Sequence, residues 1–295
     1  NDIGGKLMAL KPDVTLSIIK NSKDDFEGTQ KVYYNENVYR VSDNNNSFSE
    51  IMQTGLECFG KVTDDDIAEV ITLAAESISM LTEKCVIDLS DLEMIEKAVA
   101  STKISSPAEK KLYKAIEEKN LHEIMTVCSE NGASVEGAEL LRELVGISGK
   151  FDDIKDRLSE ICEKIGASAE FEKFSYVVEN VLKKIKPDML NIDFSVADDV
   201  NYYNGIVFKG YICGIPNTVV SGGQYDRLMS RMKRKSKAIG FAVYLDALER
   251  LDTNSEKADE KEEINVNSET IAFQVAGILN KKDCAIIFIN QLREK

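Results

Sequence analysis

The stretch "MQTGLECFG", residues 52–60, places Gln53, Gly55 and Glu57 at alternate positions. Alternate side chains of an extended strand share a face, so an amide and a carboxylate would project together above a bare glycine. Carboxylate and amide oxygens are the acceptors that an ammonium group requires. Glu57 is flanked by Leu56, Cys58 and Phe59, and this apolar setting favours a pocket over a solvated strand face. Asp13 and Thr15 in "KPDVT" sit just after Pro12, where short polar side chains either cap the next helix or face a cavity. Tyr202 and Tyr203 open "YYNGIVFKGY" directly after "DFSVADDVN", which is acidic where a base would be sought. For Tyr203 alone, core packing is the plainer expectation.

These residues need elements to hold them. "QKVYYNENVYRV" and "FSEIMQTGLECFG", separated by the polar "SDNNNS", read as two strands of a hairpin. "NDIGGKLMALKPDVTLSIIK" reads as a turn, a strand and the start of a helix. "TDDDIAEVITLAAESISML" opens on an acidic capping run and carries Ile67, Val70, Ile71, Ala74 and Ile78 at helical spacing. "KCVIDLS" is a short strand followed by a helix. Residues 101–165 hold amphipathic helices with charged outer faces and no evident strand, which suggests a helical insertion. "FEKFSYVVENVLKKI" is a further helix. "LNIDFSV" and "TVVSGGQYD" then read as strands, "YYNGIVFKGY" as a strand, a bend and a continuing strand, and "KAIGFAVYLDALERL" as helix-like. Strands separated by long helices indicate an α+β fold with an antiparallel sheet. The expected division is residues 1–100 and 166–252 as two parts of one core, 101–165 as the insertion, and 253–295 as an acidic linker and short tail.

Composition removes several classes of function. The chain has 295 residues and a formal charge of −14, from 51 acidic and 37 basic residues. That balance repels polyanions, and the basic run "RMKRKSK" is a small footprint for nucleic acid. No run approaches the roughly 18 apolar residues that span a bilayer, so a cytoplasmic location without membrane attachment is expected. The six cysteines are scattered singly and His122 is the only histidine, which argues against an ordinary zinc site and for buried reduced thiols. No glycine-rich phosphate loop is present in the dinucleotide or P-loop pattern, and no cofactor is expected. Because Asn1 opens the chain inside an apparent strand, an N-terminal segment is expected to be missing.

Four segments in order, "LKPDVTLSI", "YRVSDNNNSFSEIMQTGLECFG", "NYYNGIVFKGY" and "SGGQYDRLM…AIGFAVYLDAL", resemble the catalytic core of histidyl-tRNA synthetase and of its paralogue, the regulatory subunit of ATP phosphoribosyltransferase. The resemblance implies a class II synthetase fold and a dimer. It also implies that Asp13, Thr15 and Gln53 hold an α-amino group, and that Glu57 and Tyr203 bind an imidazole. Arg40 matches the arginine of the second class II motif, and Tyr202 the other tyrosine of the pair.

The departures from the synthetase pattern are specific. Synthetases of this family carry an Arg-Gly pair in R-G-L-D-Y-Y, whereas the sequence here is "DDVNYY", with Asp198 at the arginine position. Ala247 in "YLDAL" stands where an arginine contacts ATP, and "VSDNNNS" replaces the charged loop after Arg40. Such clamps stabilise developing charge in the transition state. Their loss implies a non-catalytic regulatory subunit of short-form ATP phosphoribosyltransferase, working with a separate catalytic subunit in the first step of histidine biosynthesis and in feedback by histidine. The C-terminal region after 251 also looks too short for an anticodon-binding domain. A divergent or truncated histidyl-tRNA synthetase is the alternative. Asp198 and Asp199 would oppose the carboxylate of histidine, so weak or no histidine binding is expected at this site.

Overall fold

The computed structural model describes residues 10–11, 13–22, 27–41, 48–197 and 202–248, together with 275 and 285–286. Strands β1 (Thr29–Val41) and β2 (Phe48–Gly60) form the long hairpin expected from their alternation, paired antiparallel from Thr29↔Gly60 to Val41↔Phe48. The sheet grows from this hairpin. Strands β3 (Cys85–Asp91), β4 (Ser148–Gly149), β5 (Leu190–Asp193), β6 (Ile206–Ile212), β7 (Val220–Gln224), β8 (Lys237–Tyr244) and β9 (Ala285–Ile286) complete nine strands in the order β4-β5-β3-β6-β7-β8-β2-β1-β9. All neighbours are antiparallel except β3–β5 and β1–β9, so the sheet is mixed although mainly antiparallel, and the fold is α+β.

Helix α1 (Thr15–Asn21) lies on one side of the hairpin, and α2 (Asp64–Ser79) packs on the other face of the sheet. The start of α2 follows from its sequence. Thr63 and Asp66 form a reciprocal capping box, and Asp64, Asp65 and Asp66 fill the first turn, where the helix dipole favours negative charge. Its buried residues Ile67, Val70, Ile71, Ala74 and Ile78 join Leu56, Leu89, Phe208 and Phe241 in the main core.

After α3 (Leu92–Ser101) come α4 (Ser106–Glu117), α5 (Leu121–Glu130), α6 (Val135–Gly146) and α7 (Phe151–Lys164), followed by α8 (Ser168–Leu182). Asn120 and Ser134 cap α5 and α6 by accepting from backbone N–H groups. The apolar stripes of these helices belong to the same core as α2. The two-residue β4 interrupts the helices, a strand the sequence does not reveal because two residues carry no readable period.

Two local expectations are corrected. The segment from Lys237, expected as helix-like, is strand β8 up to Tyr244, and only Leu245–Leu248 is helical, as α10. A continuous apolar run fits either a buried strand or a buried helix. Here β8 is hydrogen-bonded between β7 and β2, and that pairing decides. Tyr202 and Tyr203 precede β6 in a turn rather than lying in a strand, because Gly205 takes a left-handed φ of 67° before the strand begins. Cys58, Cys85, Cys128 and Cys162 are buried and Cys213 is exposed. The acidic linker, most of the tail, and the residues before Leu10 lie outside the described residues. Among the described residues no helix is long and apolar enough to cross a membrane.

Candidate functional site

Registry explains why a hollow forms where it does. The pairs Gln53↔Tyr244, Gly55↔Ala242 and Glu57↔Gly240, continued as Ala242↔Ser221 and Gly240↔Gly223, put one face of β2, β8 and β7 in line. The centre of that face carries only Gly55, Gly223, Gly240, Ser221 and Ala242, so the sheet has a shallow floor there. Larger residues stand around it. Tyr34, opposite Gly55 on β1, and Tyr244 on β8 form two sides, and α1 and the turn before β6 supply the others. The result is a pocket of about 180 Å³.

Asp13, Thr15, Arg40, Gln53, Glu57, Tyr202 and Tyr203, named from the sequence, all line this one pocket. Glu57 is its node. The Thr15 hydroxyl donates to Glu57 Oε1 at 2.5 Å and the Tyr225 hydroxyl to Oε2 at 2.6 Å, so both carboxyl oxygens are engaged by the protein. Glu57 is 2% exposed, and burial pushes its pKa up to about 8, helped by the charge of Asp13 and opposed by the two hydroxyl donors. At neutral pH the carboxyl is therefore mostly protonated.

Gln53 is buried, and its Nε2 has no acceptor among the described residues. A buried amide donor left unmatched is costly, and in a pocket wall it is positioned for a ligand's oxygen. Asp13 accepts from the Leu16 N–H at 3.1 Å at the head of α1 and also lines the pocket, so both roles read from its position hold together. Arg40 stacks over the Tyr244 ring at 5.6 Å, a cation–π contact. Tyr202 and Tyr203 meet edge to face with ring centroids 4.7 Å apart. Burial raises the phenols of Tyr34, Tyr202, Tyr203 and Tyr225 well above the usual tyrosine range, which keeps them as neutral donors.

The structure adds pairings that the sequence reading does not address: Tyr203 lies against Ser221, and the tyrosine that reaches Glu57 is Tyr225. Sequence reasoning quoted "SGGQYD" without naming that tyrosine, and it also passed over Tyr34, Ser221, Gly240 and Tyr244. The pairing of Tyr34 with Gly55 becomes visible only once the hairpin register is known. Ala247 is buried in the main core at the start of α10, whereas Asp198 and Asp199 lie outside the described residues. The set of carboxyl, amide and phenol groups is suited to an amino-acid-sized ligand bearing an ammonium group and further hydrogen-bonding atoms.

Residues 1–248 match the family model described as histidyl-tRNA synthetase. The chain is 29% identical over 293 residues to an ATP phosphoribosyltransferase regulatory subunit of Clostridium kluyveri, covering 94% of this chain and 74% of the relative. It is 28% identical to the protein of the same name from Caldanaerobacter subterraneus subsp. tengcongensis, covering 83% of this chain and 65% of the relative. Among solved structures, an ATP phosphoribosyltransferase regulatory subunit/histidyl-tRNA synthetase from Bacillus halodurans superposes with a TM-score of 0.69 at 20% identity, over 94% of this chain and 73% of the other. An ATP phosphoribosyl transferase complex from Thermotoga maritima gives a TM-score of 0.65 at 21% identity, over 83% and 84%. These superpositions establish the class II synthetase-like fold.

Proposed function

The chain belongs to the histidyl-tRNA synthetase family, and from that premise we propose that it is the non-catalytic regulatory subunit of a short-form ATP phosphoribosyltransferase. The observation that carries this reading is the contrast within the site. The groups that would hold an amino acid converge in one pocket, while the position of a family arginine that contacts ATP is the buried methyl group of Ala247. Asp198 in place of a second arginine strengthens the contrast at the level of sequence. A pocket that has lost those two arginines can still bind an amino acid, but it lacks two of the donors that stabilise charge during adenylation.

In this reading the chain activates a separate catalytic subunit in the first step of histidine biosynthesis and takes part in feedback by histidine. Two relatives bearing the regulatory-subunit name support it. A ligand can transmit such control only by binding two states of the assembly with different affinity. Asp13, Thr15, Arg40, Gln53, Glu57, Tyr202 and Tyr203 are the proposed ligand-holding set. We further propose a cytoplasmic location, a homodimer within the hetero-oligomer, and residues 101–165 as an insertion into a core formed by 1–100 and 166–252.

The test is ATP- and histidine-dependent pyrophosphate exchange by the purified chain, alongside phosphoribosyl transfer by a short-form catalytic subunit with and without it. Activation of the partner with no exchange is expected. Exchange at a synthetase's rate would overturn the proposal.

A further inference from the structure

Helices α1 and α9 (Asp226–Arg231) meet at both ends. At their N-terminal ends, Thr15 from α1 and Tyr225 from the N-cap of α9 donate to the two oxygens of Glu57. At their C-terminal ends the link is Arg234. Its Nη2 donates to the carbonyl oxygens of Ile19 at 3.1 Å and Ser22 at 2.9 Å, and its backbone N–H donates to the Met229 carbonyl of α9 at 2.9 Å. Between the two ends, Val14, Ile18, Ile19, Tyr225 and Met229 share a small core distinct from the main one.

Helix α1 needs such a tie. It has seven residues, and a helix that short is marginal by itself. The Ile19 carbonyl already accepts from the Ser22 N–H and hydroxyl, and the guanidinium adds a charged donor to it and to the Ser22 carbonyl, where it complements the negative end of the dipole. The chain is shaped to deliver that guanidinium. Lys233 takes a left-handed φ of 60° at the end of α9 and turns Arg234 back toward α1. Within "RMKRKSK", Arg231, Lys233, Lys235 and Lys237 are exposed, while Arg234 is half-buried against α1.

We infer that Arg234 is a positioning residue for the pocket, holding α1 against α9 so that Asp13 and Thr15 stay presented to Glu57. It touches no ligand position. Its effect travels through the helix whose first turn forms the pocket wall.

Two readouts on the isolated full-length chain test this without ligand or partner, so the result does not depend on the regulatory role. The first is hydrogen exchange of residues 13–22. Arg234→Ala should speed it roughly ten- to a hundredfold, the scale of losing charge-assisted hydrogen bonds, with β3 and β6 unchanged. The second is the pH midpoint of the Glu57 carboxylic-acid infrared band, assigned with Glu57→Gln. Loosening α1 admits water, so the midpoint should fall from about 8 toward the ordinary carboxylate range. Arg234→Lys, which can still donate to both carbonyls, should restore both readouts, and Arg231→Ala, which removes an exposed charge from the same run, should change neither. If Arg234→Ala does not fold, Arg234→Gln decides by the same two measurements. Unchanged α1 exchange and an unchanged midpoint in the folded variant would overturn the inference, as would equal effects of Arg231→Ala.

Discussion

At the residue scale the pocket turns on one buried acid. The folded chain keeps the Glu57 proton up to about pH 8, whereas an unfolded chain releases it near 4.5. Its contribution to stability is thus complete below about pH 4.5 and is lost as pH rises through 8. Asp91, buried at the cap of α3, acts in the same direction, with a pKa raised from 3.8 to about 7 chiefly by burial. Stability should therefore decline across that window, and Glu57→Gln should remove a large part of the decline, on the order of a few kcal/mol. Urea midpoints at about pH 5 and about pH 9 for both proteins measure it. A variant with the same pH dependence as the wild type would mean that Glu57 titrates normally.

At the scale of elements, the pocket depends on how closely β8 approaches β2. A Cβ on Gly240 would collide with Glu57 Oε2 and come within 2.7 Å of the Leu56 carbonyl oxygen. Backbone cannot yield there, because both strands are paired along their length. Gly240→Ala should cost about 1–3 kcal/mol, the usual range for overpacking, and displace Glu57 from Thr15 and Tyr225. Chemical denaturation gives the first quantity, and the infrared band of Glu57 gives the second. Gly28, with open space around its Cβ position, is the matched control.

At the scale of the whole molecule, the isolated chain and the assembly should differ as ligand binders. Both oxygens of Glu57 already accept from internal hydroxyls, so a ligand donor must share them, and Asp198 and Asp199 stand in the sequence where a counter-charge to a carboxylate would be needed. Histidine should bind the chain alone weakly or not at all by calorimetry. If feedback acts through this subunit, binding should strengthen in the complex by the same factor as histidine alters assembly. Tight binding to the chain alone, abolished by Glu57→Ala, would contradict this.

The sequence by itself determined the α+β class, the long hairpin, the capped helix α2 and part of the pocket lining, the seven residues from Asp13 to Tyr203 named for it. Each of these rests on local information: alternation, cap chemistry, or a motif quoted in order. The tertiary structure alone decided which groups pair. Glu57 meets Tyr225, which directly follows β7, because registry across β2, β8 and β7 brings the two together, and registry is a property of strand neighbours distant in the chain. It decided that the segment from Lys237 is a strand, since an apolar run reads alike in a helix or a sheet until its hydrogen-bonded neighbours are known. It also gave Arg234 its place, because the two carbonyls it reaches, Ile19 and Ser22, lie more than 200 residues earlier in the chain, and no sequence period links a side chain to a helix end that far away.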